Sequence, residues 1–95
     1  MDNNIYTLFA APAWCDPCKE LKSWMVDKQI KLPNLRHVDI DIDSVFAKSC
    51  HIEKVPTLMV RAKGAIGFQL LEGREEIKPY LEHLNGTYKS SKSDS

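Results

Sequence analysis

Ile5-Tyr6-Thr7-Leu8-Phe9 is an unbroken run of strand-favouring residues, about the length of a buried strand. Ala10-Ala11-Pro12-Ala13 breaks it, and Trp14-Cys15-Asp16-Pro17-Cys18 follows. Pro17 suits the first turn of a helix, where its missing N–H costs nothing. From there Cys18, Leu21, Trp24 and Met25 recur at helical spacing, with the stem of Lys28 continuing the face. Lys28 to Asn34, with Pro33, closes that helix. Leu35 to Ile42 then alternates, with Arg36, Val38, Ile40 and Ile42 on one face and His37, Asp39 and Asp41 on the other, which predicts a strand. Asp43 or Ser44 is a suitable N-cap for a short helix through Val45, Phe46 and Cys50.

Val55-Pro56-Thr57-Leu58-Met59-Val60 reads as extended, Lys63-Gly64 as a tight hairpin turn, and Ile66 to Leu71 as the returning strand. Gly73 leads into a last helix that gathers Ile77, Leu81 and Leu84 on one face, with Pro79 expected in its first turn. The order β-α-β-α-β-β-α predicts one α/β domain over residues 1–85. Its central mixed four-stranded sheet is flanked by three helices, the first two strands being parallel and a hairpin antiparallel. Residues 86–95, with four serines in the last six positions, are expected to be a flexible tail.

Composition narrows the partners. Thirteen Lys+Arg balance thirteen Asp+Glu, so no basic excess is available for binding nucleic acid or an anionic membrane. No apolar run reaches the roughly 20 residues of a membrane span. Met1-Asp2-Asn3-Asn4 lacks the basic and apolar stretches of a signal peptide, so a cytoplasmic location is expected. In that reducing pool a structural disulfide framework is not expected from three cysteines, two of which lie three residues apart.

Cys15-x-x-Cys18 at a strand-to-helix junction is a redox arrangement. Cys15 at the helix N-terminus meets unpaired N–H groups and the positive dipole end, which lower a thiol's pKa and favour the nucleophilic thiolate. Cys18, one turn inside and expected to be the more buried, can attack a mixed disulfide on Cys15 and release the reduced substrate. The alternative is a tetrahedral zinc site from Cys15, Cys18, Cys50 and His51. Against it, a single knuckle is present, adjacent Cys50 and His51 present two ligands awkwardly, and Pro17 favours a helix start over a ligand loop. No metal is expected.

Trp14-Cys15-Asp16-Pro17-Cys18-Lys19, then Val55-Pro56-Thr57, Lys63-Gly64 and Gly73, together resemble the thioredoxin family over residues 5 to 84. The resemblance implies a minimal thioredoxin fold with a cis Pro56 facing the cysteines. It also implies a substrate surface made of Trp14, Val55, Pro56 and Gly73, with Asp16 and Pro17 between the cysteines. Protein disulfides would be the substrates and Cys15–Cys18 the redox-active disulfide. No bound cofactor is implied; electrons would come from a thioredoxin reductase-like donor or from glutathione. A monomer is expected. Only fourteen residues precede Cys15, a glutaredoxin-like frame. The proline before Cys18 and Glu72-Gly73-Arg74-Glu75 in place of a glutathione-carboxylate site favour a thioredoxin-type activity. A glutaredoxin acting with glutathione, or a non-catalytic binding subunit using the same groove, are the alternatives.

The chain also departs from the family pattern. Phe9 stands about where thioredoxins carry a buried aspartate, Ser23 replaces a helix proline, and Asp16 replaces a glycine. A carboxylate between the cysteines opposes a neighbouring thiolate. His37 aligns with a family lysine, and with Asp39 it is a candidate proton relay, against the plainer reading of a surface histidine. Cys50 reads as a small buried hydrophobe beside Val45 and Phe46. Asp39, Asp41 and Asp43 alternate like calcium ligands but lack the loop glycine and closing glutamate.

Overall fold

Tyr6 to Phe9 are all buried, as an unbroken apolar run requires of a strand covered on both faces. This strand is the heart of a computed structural model that describes residues 4–93. The elements are β1 (Asn4–Ala10), α1 (Asp16–Asp27), β2 (Leu35–Asp39), α2 (Ser44–Ser49), β3 (Thr57–Ala62), β4 (Gln69–Glu72) and α3 (Arg74–Ser93). The four strands form one sheet ordered β2-β1-β3-β4. β1 runs parallel to β2, with Leu8 opposite His37 and Ala10 opposite Asp39; the β1–β3 and β3–β4 pairs are antiparallel. The mixed four-stranded sheet with three helices is the architecture read from the sequence.

Strand alternation splits the core in two. Tyr6, Leu8, Leu58 and Val60 meet Leu21 and Met25 of α1 and Ile77 and Leu81 of α3 on one face. Phe9 and Met59 meet Val38, Ala47 and Cys50 on the other, under α2, where the Phe9 and Phe46 rings lie 5.6 Å apart. An Arg74–Glu20 ion pair and Lys78 Nζ, 5.6 Å from the Trp24 ring centre, tie α3 to α1.

Several boundaries differ from the sequence reading, each for a local reason. β2 stops at Asp39 because the Asp39 carboxylate accepts the Asp41 N–H (2.9 Å) and its carbonyl accepts those of Ile42 and Asp43. The chain turns there, and Ile42 is left 85% exposed instead of completing a buried face. Val45 is likewise 79% exposed; Phe46, Ala47 and Cys50 form the inner side of α2. Asp43 occupies the cap position but makes no side-chain capping bond. Beyond β3, Gly64 (φ +83°) is the third residue of a turn closed by Ala65 N–H to Ala62 O (2.9 Å). A turn of that type splays the strands, so pairing resumes only at Gln69 and Ile66 stays fully exposed. Pro79 lies in the second turn of α3 rather than the first, because Gly73 caps the helix and Ile77 must reach the core. The α3 backbone also continues past Gly86 to Ser93, through residues assigned to a tail by composition; no proline after Pro79 stops it. Ser95 and the residue before it lie outside the described residues, as do residues 1–3. No described helix is long and apolar enough to cross a membrane.

Candidate active site

The site is built where β1 ends. Ala11 carbonyl accepts the N–H groups of Trp14 (3.2 Å) and Cys15 (2.9 Å), a turn that delivers Cys15 to the start of α1 as its N-cap. Cys15 is extended there (φ −96°, ψ 104°), and its Sγ accepts the Cys18 N–H at 3.3 Å, one of the donors a helix start leaves unpaired. Asp16 and Pro17 occupy the first turn and are exposed. Cys15 and Cys18, with Cα atoms 5.2 Å apart, are joined as a disulfide. Their burial is nearly equal, 5% and 4% exposed, so Cys18 is not distinctly the deeper of the two. What separates them is the company each keeps: the cap N–H falls on Cys15, while Cys18 lies on the inner face of α1 with Leu21 and Met25.

A second segment meets the first from across the sheet. The Val55–Pro56 bond is cis, as the resemblance implies, and the Val55 carbonyl oxygen lies 3.6 Å from Cys15 Sγ. Pro56 is fully buried; its carbonyl accepts the Gly73 N–H at 2.9 Å, which brings Gly73 to the same cluster. Gly73 has φ +87°, a conformation that favours glycine, and its carbonyl then starts α3 by accepting from Ile77. Thr57 Oγ1 donates to the Lys54 carbonyl (2.7 Å) and so closes the turn that holds Val55 in place. Trp14 is 60% exposed beside Cys15, its ring fixed by Nε1–H donation to Asp41 Oδ2 at 3.0 Å. Val55 thus lies against Cys15 and Trp14 precedes it in the chain, while Pro56 and Gly73 are joined to each other by the Gly73–Pro56 hydrogen bond.

Thr57 and Asp41 take parts that the sequence reading did not give them. Asp41 was one of three alternating acids; only the turn after β2 carries it to the indole. Thr57 was a motif residue without a stated bond. His37 and Asp39 are not in this groove. They line a cavity of about 590 Å³ on the β2 side of α1, which Cys18 also lines together with Lys19, Lys22 and Asp27. His37 itself is exposed at the rim of this cavity; partial desolvation of its ring, and then the Lys22 charge, push its pKa below the ordinary value. Cys50 is buried under α2, and among the described residues no three His, Cys, Asp or Glu side chains converge on a metal position, so the four candidate zinc ligands are not brought together. Phe9 points into the α2 side of the core, leaving β1 with no acid beside the pair.

A dithiol held this way, with a nucleophile at a helix cap and its partner within bonding distance, is the working part of a thiol–disulfide oxidoreductase. Known proteins point the same way. The family model Thioredoxin matches residues 2–87. A thioredoxin H-type 2 from Nicotiana tabacum is 27% identical over 90 residues, covering 90% of this chain and 76% of that protein. A thioredoxin H-type from Ricinus communis is 30% identical over 56 residues, and there the chain spans only about half (48%) of the relative's length. The solved thioredoxin of Trypanosoma brucei brucei superposes with a TM-score of 0.66 at 24% identity, over 93% of this chain and 77% of that one. The Plasmodium falciparum thioredoxin gives 0.67 at 20% identity, over 87% and 72%. Both share the fold at identities too low to say more. With the family model matched from before β1 into α3, and the cysteine pair facing a cis-proline turn, the chain belongs to the thioredoxin family.

Proposed function

We propose that the protein reduces disulfides of other proteins in the cytoplasm, as a monomer with no bound cofactor. The observation that carries the proposal is Cys15 at the cap of α1, facing the Val55 carbonyl and cis Pro56, with Trp14 exposed beside it. An extended substrate strand would donate an N–H to the Val55 carbonyl and lay its disulfide against Cys15. The Cys15 thiolate attacks one substrate sulfur, forming a mixed disulfide, and the other substrate sulfur leaves as a thiolate that takes a proton. Cys18, as thiolate, then attacks Cys15 Sγ and the second substrate sulfur leaves. Two electrons pass to the substrate, and Cys15–Cys18 is left oxidised. A separate reductase returns two electrons and two protons. Glu72-Gly73-Arg74-Glu75 carries more acid than base at this position, which favours a protein substrate over the anionic tripeptide glutathione.

The test is insulin-disulfide reduction with a thioredoxin reductase as donor, run beside a glutathione-coupled assay and mass spectrometry of Cys18→Ser. Turnover with the reductase, and a substrate adduct trapped on Cys15 in Cys18→Ser, is the expected result. Turnover only with glutathione, surviving Cys18→Ser, would transfer the protein to the glutaredoxin alternative. No turnover in either assay and no adduct would end the enzyme reading; partner capture by a Cys15→Ser/Cys18→Ser variant would then support a binding subunit.

A further inference from the structure

Cys18 cannot attack as a thiol; it must lose a proton while buried on the inner face of α1. On the groove side Trp14, Val55, Pro56 and Gly73 carry no base, and the carboxylates of Asp16 and Asp41 are exposed, Asp41 already accepting from the Trp14 indole. The other side offers one. The cavity that Cys18 lines toward the β2 edge holds His37 and Asp39 from one face of β2, and Lys19, Lys22 and Asp27 from α1, while β1 contributes only Leu8 and Ala10. We propose that His37 takes the proton of Cys18 through the solvent of this cavity as Cys18 resolves the mixed disulfide. This rests on the oxidoreductase reading and deepens it.

The other cavity groups are poorer acceptors. The lysine ammonium groups have no lone pair to offer. Asp27 ends α1, nine residues beyond Cys18 and so roughly 13 Å along the helix axis. The Asp39 carboxylate is already engaged by the Asp41 N–H in the turn that ends β2. Partial desolvation and Lys22 keep the His37 ring neutral near pH 7, with a free nitrogen lone pair. Lys31, near the far end of the same strand face, is the remaining charge around it. In the step itself, Cys18 S–H gives its proton to His37 and its electron pair to Cys15 Sγ. The Cys15–substrate S–S bond breaks, and the substrate thiolate is protonated from solvent. The imidazolium, disfavoured by Lys22, returns its proton to the cavity water.

The test follows the two thiolate releases from an aromatic disulfide whose product absorbs visible light, by stopped flow from pH 6 to 9. In His37→Gln the first release, made by Cys15, is expected at the wild-type rate. The second, made by Cys18, should fall about 10²-fold at pH 7, with the deficit closing as pH rises and hydroxide takes over the deprotonation. His37→Ala should regain part of the second release on addition of free imidazole, a result that a merely structural role would not give. A second release within twofold of wild type at pH 7, a deficit that does not vary with pH, or no imidazole rescue would overturn the proposal. Loss of the first release in the wild-type protein would instead defeat the oxidoreductase reading itself.

Discussion

Thr57→Val separates two roles of one hydroxyl. Thr57 is fully buried, and its Oγ1 donates to the Lys54 carbonyl at 2.7 Å, closing the turn that presents the Val55 carbonyl to Cys15. Removing the hydroxyl leaves the half-buried Lys54 carbonyl without this donor, a cost of about 1–3 kcal/mol. The added methyl returns about 0.8 kcal/mol of apolar burial. The net loss is then about 0.2–2.2 kcal/mol, and a domain this small loses about 4–8 °C of Tm per kcal/mol. Thr57→Ser is the control: it keeps the donor and loses a methylene, costing about 1 kcal/mol by the same burial scale. Urea denaturation should therefore rank the two variants close together. Their kinetics should part: Thr57→Val raises KM for a protein disulfide by freeing the Val55 carbonyl, while Thr57→Ser leaves KM near wild type. Equal KM values in the two variants would refute the argument that this hydrogen bond positions the substrate strand.

Other consequences can be checked on the same material. Gln29 closes α1 at φ +53°, with Ile30 N–H bonded to Met25 O at 2.9 Å, so Gln29→Gly should stabilise the protein by about 0.5–1 kcal/mol in denaturant unfolding. The folded state lowers the His37 pKa, chiefly by partial desolvation, so between that lowered value and about 6.5 the unfolded chain binds more protons. Stability should rise with pH across that window and level off on either side of it, and His37→Gln should flatten the slope. Cys50 is buried among Phe9, Val38, Ala47 and Met59, so Cys50→Ala should cost about 1 kcal/mol and leave disulfide-reduction rates unchanged.

Legibility tracked how local each cause was. β1 could be read because four consecutive buried residues leave no other strand arrangement, and the α1 start because Cys15, Pro17 and the apolar spacing of Cys18, Leu21 and Met25 agree. Ile42 and Val45 were misplaced because period-2 alternation runs on through 42 in the sequence. A single carboxylate, Asp39, turns the backbone out of the sheet and so ends the alternation in space. The second half of the site was carried by a motif, and no pattern within residues 54–57 says that their carbonyls meet Cys15 or Gly73. That meeting depends on the antiparallel register of β3 against β1 and β4, which is set by pairs as distant as Phe9 with Thr57 and Thr57 with Glu72.

The near-equal burial of the two cysteines also changes the reason for their division of labour. If depth alone decided which sulfur attacks first, 5% against 4% exposure would leave the choice open. The hydrogen bond from the Cys18 N–H decides it: one sulfur sits at the cap, where unpaired donors and the helix dipole favour negative charge, and the other supplies the donor. The same geometry links the two steps. While Cys15 is a thiolate the Cys18 N–H holds it, and once Cys15 is in a mixed disulfide its charge is gone. The helix-end field then acts on whichever sulfur next becomes anionic, and Cys18, three residues along the same first turn, is the one within bonding distance. Deprotonating Cys18 is therefore easiest after substrate is attached, when no neighbouring thiolate opposes it. A base on the β2 side of α1 is suited to that moment because the cavity it shares with Cys18 is lined by none of Trp14, Val55, Pro56 or Gly73.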